Sequence, residues 1–521
     1  MQKLNWGNFA ICFAVSLGQL CFAYPSSIIS TTLGQPAFLE FFHLLDSKGA
    51  ISPKGNSLIG AFNGAGSIFG VIIGGYLMDR WGRRQAMQAL CIVSMISGAL
   101  LAASQNSAMF TVFRFFSGLG SWAFLVITPV YCSELAQPQY RGLMVGMNGV
   151  MIGLGYSIAS YIGLGFFFST NATAQWRAPL GLAPFFPILM FIVLFFIPES
   201  PRYLLMHNRT DEAWKVVSKL HATPGDPQQE FARSEFYQMQ KQSDADREMD
   251  TSWKMIFTRP SYRKRMLIGM GFAFFGQSTG AFVVNNYATV IYSSMGFGAK
   301  DQLILACGWI SVSIFGNLGG ALVVDRLGRK PLMLWAFIGC CCCLTLEAAM
   351  VARYAAEGTN KVGLGFALFA SYSFSVFYTP GIDCNNAIFL GELFPNHIRA
   401  KGVTLCLVVY ACIDLVYLQV APTAFERVGW KFYLLFIILC AIGAVWAWLF
   451  VPETKGVPLE EMAAIFGDPE DVVIYLREVH VDHTNNELVV EPHADDEKAS
   501  IQRVEESHVH NQPQGAGTLE A

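Results

Sequence analysis

Two carboxylates lie where carboxylates are costly. Asp383 and Asp414 fall inside long apolar runs, near 362–391 and 402–421. Asp383 stands nine residues from Glu392, at the polar end of its run. At ~1.5 Å per helical residue that is about 13–14 Å, close to half of a ~30 Å hydrocarbon core. Asp414 lies 13 residues beyond Lys401, also deep within its run. A carboxyl group at that depth must be neutral, paired or wetted, which makes it a functional candidate. Its chemistry is to take up and release a proton, or to accept from donor groups of a bound polar molecule. Amides share the depth: Gln277, Asn285 and Asn286 with Tyr287 in the run 265–292, and Asn385 and Asn386 beside Asp383. Arg114 interrupts a further run, 109–131. For the amides, packing between helices is the competing account.

These residues need a membrane around them, and the composition supplies one. Of 521 residues 53% are hydrophobic and only 14% charged, with a mean hydropathy of +0.40. Soluble domains carry roughly a quarter charged residues. The net charge of −3 gives no nucleic-acid surface, since the basic residues cluster in short loops. The 13 cysteines lie almost all in apolar runs, without paired CxxC loops and histidines. Neither a metal site nor a disulfide framework is indicated. Nothing resembles a phosphate-binding loop or a catalytic constellation, so no cofactor and no enzyme activity is expected.

A span needs ~20 mainly apolar residues. Such runs lie near 9–30, 57–78, 86–104, 109–131, 143–168, 179–197, 265–292, 302–324, 331–352, 362–391, 402–421 and 431–451. The expected architecture is an all-α membrane protein of twelve transmembrane helices in two pseudo-symmetric six-helix bundles, 1–200 and 265–452. A linker, 201–264, carries short surface helices, and a tail, 453–521, is mostly disordered. In the linker, Thr210 is expected to cap a helix to about Leu220, and Asp226-Pro227 to open a second. Lys and Arg concentrate in the loops on one side and in the linker, which places both termini in the cytoplasm. Asn171 of Asn171-Ala172-Thr173 then lies outside as a glycosylation site, and Asn208 of Asn208-Arg209-Thr210 does not.

The loops repeat. Asp79-Arg80-Trp81-Gly82-Arg83-Arg84 returns as Asp325-Arg326-Leu327-Gly328-Arg329-Lys330 after 246 residues. Glu134 with Arg141 returns as Glu392 with Arg399 after 258. Pro198-Glu199-Ser200-Pro201-Arg202 returns as Pro452-Glu453-Thr454-Lys455-Gly456 after 254. Three motifs in one order at nearly one offset mark a duplicated unit. Their acids, at helix ends, are placed to pair with Arg83, Arg141, Arg329 and Arg399, while Gly82 and Gly328 permit tight two-helix turns. Surface pairs of this kind are worth about 0–1 kcal/mol each, so they matter as a network.

With Glu392-Leu393-Phe394-Pro395 and Arg399-Ala400-Lys401-Gly402 added, this set spans about residues 70–460 and resembles the sugar porters of the major facilitator superfamily, in a fungal-type branch. The resemblance implies a major facilitator fold, with two bundles rocking around a central site. It makes the loop motifs a cytoplasmic gate and gives Arg114 a place matching an arginine used in coupling. It implies a multi-pass protein of the plasma membrane that moves a small polar solute, a sugar or polyol, with protons as a second partner. A carrier of organic acids or specialised metabolites, working outward, is the alternative. A nutrient receptor that binds without transporting ranks below both.

The departures fall on the substrate side. Proton-coupled sugar porters carry Gly-Tyr-Asp in the first helix; here stand Ala23-Tyr24-Pro25, keeping Tyr24 alone. A fifth-helix Gln is Gly149, and the seventh helix keeps Gln277 but has Phe282 in place of an Asn. The tenth-helix Gly-Pro-x-x-Trp is absent, and Asp414 stands where Asn is common. Asp383 or Asp414 then either takes the coupling role that the first helix no longer supplies, or binds donor groups of the substrate.

Overall fold

The computed structural model describes residues 5–33, 35–44, 65–222, 229–249, 251–294, 297–354, 361–468, 475–482 and 487–490. Apolar runs that long can satisfy their backbone polar groups in a bilayer only by becoming helices, and their described parts do, residues 57–64 lying outside the described residues. The first half holds α1 (Trp6–Thr32), α2 (Ser67–Trp81), α3 (Arg83–Ala102), α4 (Ser107–Leu135), α5 (Arg141–Phe167) and α6 (Ala172–Val193). The linker forms α7 (Thr210–Leu220) and α8 (Glu230–Glu248). The second half begins with a broken span, α9 (Pro260–Gln277) and α10 (Ala281–Ser294). It continues with α11 (Ala299–Leu327), α12 (Arg329–Tyr354), α13 (Val362–Leu393), α14 (Arg399–Val428) and α15 (Phe432–Phe450). Taking α9 and α10 as one span, the protein has twelve transmembrane helices in two six-helix bundles.

Two spans are interrupted at mid-depth. Between α9 and α10 the chain turns through Gly280, at φ +82°. In α13 a π-type turn over Thr379–Asp383 carries Pro380, whose missing N–H breaks the helical ladder. Irregular backbone survives at this depth only where protein or a cavity covers it.

The linker closes the underside of both bundles. Asn5, ahead of α1, donates to the Leu220 and Ala222 carbonyls at 3.0 and 2.8 Å. His221 reaches the Leu135 carbonyl at the end of α4, 3.1 Å away. Gln238 of α8 donates to Glu461, beyond α15, at 3.0 Å. One linker expectation changes and one is left open. Thr210 is the first residue of α7 and caps nothing; its acidic first turn is met instead by the Arg209–Glu212 pair. The Asp226-Pro227 start lies outside the described residues, and the helix that follows begins at Glu230.

Part of the tail forms a hairpin. β1 (Val479–Asp482) and β2 (Glu487–Val490) pair antiparallel, Val479 opposite Val490. Leu476, just ahead of β1, anchors the hairpin through its N–H to Glu461, 2.9 Å. Within the tail, residues 469–474, 483–486 and 491–521 lie outside the described residues. Asn171 is exposed, and its side chain caps α6 by accepting from Thr173 and Ala174.

Candidate functional site

The duplicated motifs fold into two matching latches. In the first half Arg83 pairs with Glu134 at 2.9 Å, and Ser200 donates to the same carboxylate. Glu199 accepts from the backbone N–H groups of Arg83 and Arg84, at 2.9 and 3.2 Å. In the second half Arg329 pairs with Glu392 at 2.7 Å, and Thr454 donates to it at 2.9 Å. Glu453 accepts from the N–H groups of Arg329 and Lys330, at 2.9 and 3.1 Å. Each glutamate thus binds the start of a helix, where free N–H groups and the dipole favour an anion. That approach needs glycine at the turn. Gly82 and Gly328 sit at φ +89° and +97°, and a Cβ would lie 2.6 Å from Glu199 and 2.4 Å from Glu453.

These pairs are not the surface pairs expected from the loops. The Arg329 and Glu392 side chains are each 2% exposed. Removing one partner of such a pair costs about 3–5 kcal/mol, because the other charge stays buried and uncompensated. The pairing also differs from the expected one. Arg141 gives a hydrogen bond to the Val457 carbonyl, 3.4 Å, rather than to an acid. Asp79 has no ion pair among the described residues. Arg80 and Arg326 stay at the exposed rim, Arg80 with Tyr76.

Four links tie the halves together on this face. Asp325 accepts from the Leu143 N–H of α5 at 2.9 Å, and Arg399 reaches Glu134 at 3.5 Å. Arg202 pairs with Glu460 at 2.7 Å, and the Arg141–Val457 bond completes the set. Burial alone would raise the Glu460 carboxyl; Arg202 and Arg141 outweigh it and hold it below the ordinary carboxylate value. Burial does lift Glu199 above that value, against the Ser200 N–H and the Arg83 charge. These links join the two halves across this face beside α5 and α11, while a cleft of about 930 Å³ remains beside α2 and α14.

Above it, where both broken spans meet, lies a small cavity of about 50 Å³. Gln277, Asn285 and Asp383 line it, with Trp309 and Ser313 of α11 and Tyr378 of α13. Tyr410 of α14 closes one side, and Tyr156 of α5 comes from the first half. Asn386 lines an adjoining recess with Gln277 and Asp383. About 50 Å³ holds a few waters, whereas ligand pockets run to about 300–1,000 Å³. A solute enters only when the helices around it part.

Asp383 is held: Asn317 of α11 donates to it at 2.9 Å. Asn317 stands there because residue 149 is glycine. A Cβ on Gly149 would lie 2.7 Å from the Asn317 amide oxygen. Gly149 thus leaves the room in which Asn317 holds Asp383. Asp414 is buried, 1% exposed, one helical turn from Tyr410, and neither of its oxygens has a hydrogen-bond partner among the described residues.

Three candidates stand away from the cavity. Tyr24 is fully buried within the first bundle, donates to the Pro179 carbonyl at 2.7 Å and packs on Phe186. A buried phenol needs an acceptor, and α6 supplies it. Asn286 turns back onto its own helix, donating to the Phe282 carbonyl at 2.9 Å. Arg114 is buried in α4 seven residues from Ser107, toward the end opposite the gate. Residue reasoning also missed the cavity's tyrosines, which carry no polar signal in an apolar run. It quoted Glu199 and Glu453 without a role; their shared offset with the other motifs was the available clue.

The sequence matches the Sugar (and other) transporter family over residues 11–466. The chain belongs to that family. Among curated relatives it is similar to the MFS-type transporter criB of Aspergillus cristatus, 30% identical over 87% of this chain and 91% of that one. It is also similar to the high-affinity glucose transporter of Kluyveromyces lactis, 26% identical over 88% and 85%. Among solved structures, the proton:xylose symporter XylE bound to 6-bromo-6-deoxy-D-glucose superposes with a TM-score of 0.76 at 22% identity, covering 88% of this chain and 99% of that one. The transporter has the major facilitator fold and is a multi-pass membrane protein, and the latches and cavity lie in its two halves and between them.

Proposed function

We propose that this transporter moves a sugar or polyol across the plasma membrane by alternating access, with both termini in the cytoplasm and the latched face inward. The observation that carries the reading is a small polar cavity at two helix breaks, above a gate built from both halves. Gln277, Asn285, Asp383 and Asn386 supply donors and acceptors for hydroxyl groups. Asp414 takes the coupling proton: it is a buried intramembrane carboxyl group without a partner among the described residues. Arg114, buried in α4, serves coupling, as the resemblance implies. The relatives support a sugar, since one is named for glucose and the solved neighbour for xylose.

The test is uptake in cells that lack their own hexose carriers, with labelled sugars, polyols and organic acids, with and without a protonophore. Saturable sugar uptake that the protonophore abolishes is expected. Uptake of an organic acid alone, with the protein at the surface, replaces this reading by the metabolite carrier. Glycan on Asn208 and none on Asn171 would reverse the orientation.

A further inference from the structure

The charge around the cavity narrows the solute. Its lining holds the Asp383 carboxylate and the rings of Trp309, Tyr378, Tyr410 and Tyr156. Among the described residues no Lys, Arg or His lines it. Asn317 donates to one Asp383 oxygen. Asp414 adds a second acidic group one turn from Tyr410.

A carboxylate-bearing solute would meet like charge without a counter-ion, which disfavours its binding. A neutral polyol gains one acceptor. An ammonium group gains a charge-assisted hydrogen bond, roughly twice as strong as a neutral one, and aromatic faces that attract cations. We propose that the preferred solute carries an ammonium group beside its hydroxyls, as an amino sugar or amino polyol does, and that Asp383 receives it. This rests on the sugar-transporter reading and divides the two carboxylates. Asp383 faces the solute, and Asp414 keeps the proton. Gln277 and Asn285 are left for the hydroxyl groups.

Trp309 in the lining offers a fluorescence signal on the purified full-length protein, with calorimetry as a second readout. Glucose, glucosamine, glucuronate and the non-sugar diamine putrescine are titrated at pH 6.5. Glucosamine is expected to bind at least about 10-fold more tightly than glucose, and glucuronate more weakly than either. In D383N the glucosamine-to-glucose ratio is expected to fall to about one, and in N317A to fall part of the way. Y24F, outside the cavity, keeps the ratio. Glucose binding with glucosamine no tighter overturns the inference and leaves the sugar reading standing. Putrescine binding with both sugars silent overturns the sugar reading and supports the charge preference. A ratio unchanged in D383N, or no binding by any of the four, overturns the inference. The wild-type ratio decides even if D383N does not fold.

Discussion

The two halves build the same latch, yet only one of them reaches across with its aspartate. Asp325 binds Arg329 at 3.1 Å and also accepts the Leu143 N–H of the opposite half. Asp79, its repeat partner, instead borders a cleft of about 930 Å³ whose lining also includes Arg80 and Lys401. The seam of α5 with α11 is thus closed by the motif itself, and the seam of α2 with α14 is not. The cavity is lopsided in the same direction. Tyr156 is the first half's contribution to its lining, and the second half supplies the rest. Duplication copied the parts, and the interface then used them unequally.

The comparison breaks most easily at Arg329. Arg329→Ala strands Glu392 and releases Asp325, and is expected to cost about 3–5 kcal/mol of the closed state. Thermal unfolding together with cysteine accessibility from the gate side would read it; an unchanged closed state would remove the latch from the mechanism. Gly149→Gln restores the residue common in sugar porters, and overpacking against Asn317 is expected to cost about 1–3 kcal/mol. Adding Asn317→Ala should recover part of that loss in unfolding temperature and leave Asp383 unheld. A pair of aspartate variants sharpens the asymmetry. Asp325→Asn should weaken charge-assisted bonds worth about 1.5–3 kcal/mol, while Asp79→Asn, without an ion pair, should cost about 0–1 kcal/mol. Equal losses in gate closure would mean that the two halves carry equal loads. The smallest effect belongs to Tyr24→Phe. Losing its bond to Pro179 should cost about 0.5–1.5 kcal/mol of stability, with KM for the solute unchanged; a raised KM would return Tyr24 to the cavity.

Much of this was legible along the chain. Each run of apolar residues had to be a helix, and the offsets of Asp79, Glu134 and Glu199 from their copies fixed a two-bundle architecture. The depth of Asp383 followed from counting residues back from Glu392. The candidates that moved did so for one reason. Counting along a helix gives depth and not direction. Tyr24 and Asn286 lie deep in their spans but point into the first bundle and along their own helix, while Tyr378 and Tyr410, silent in composition, face the cavity.

The sequence by itself determined the span count, the repeat, the gate motifs and the presence of two intramembrane carboxylates, because these follow from local composition and spacing. Tertiary structure decided which acid meets which arginine, since Glu134 serves both Arg83 and Arg399 only where two bundles converge. It also decided that Gly149 makes room for the Asn317 that holds Asp383, a contact between three helices that no one of them encodes. Close packing fixes such partners, and packing is a property of the assembled bundles.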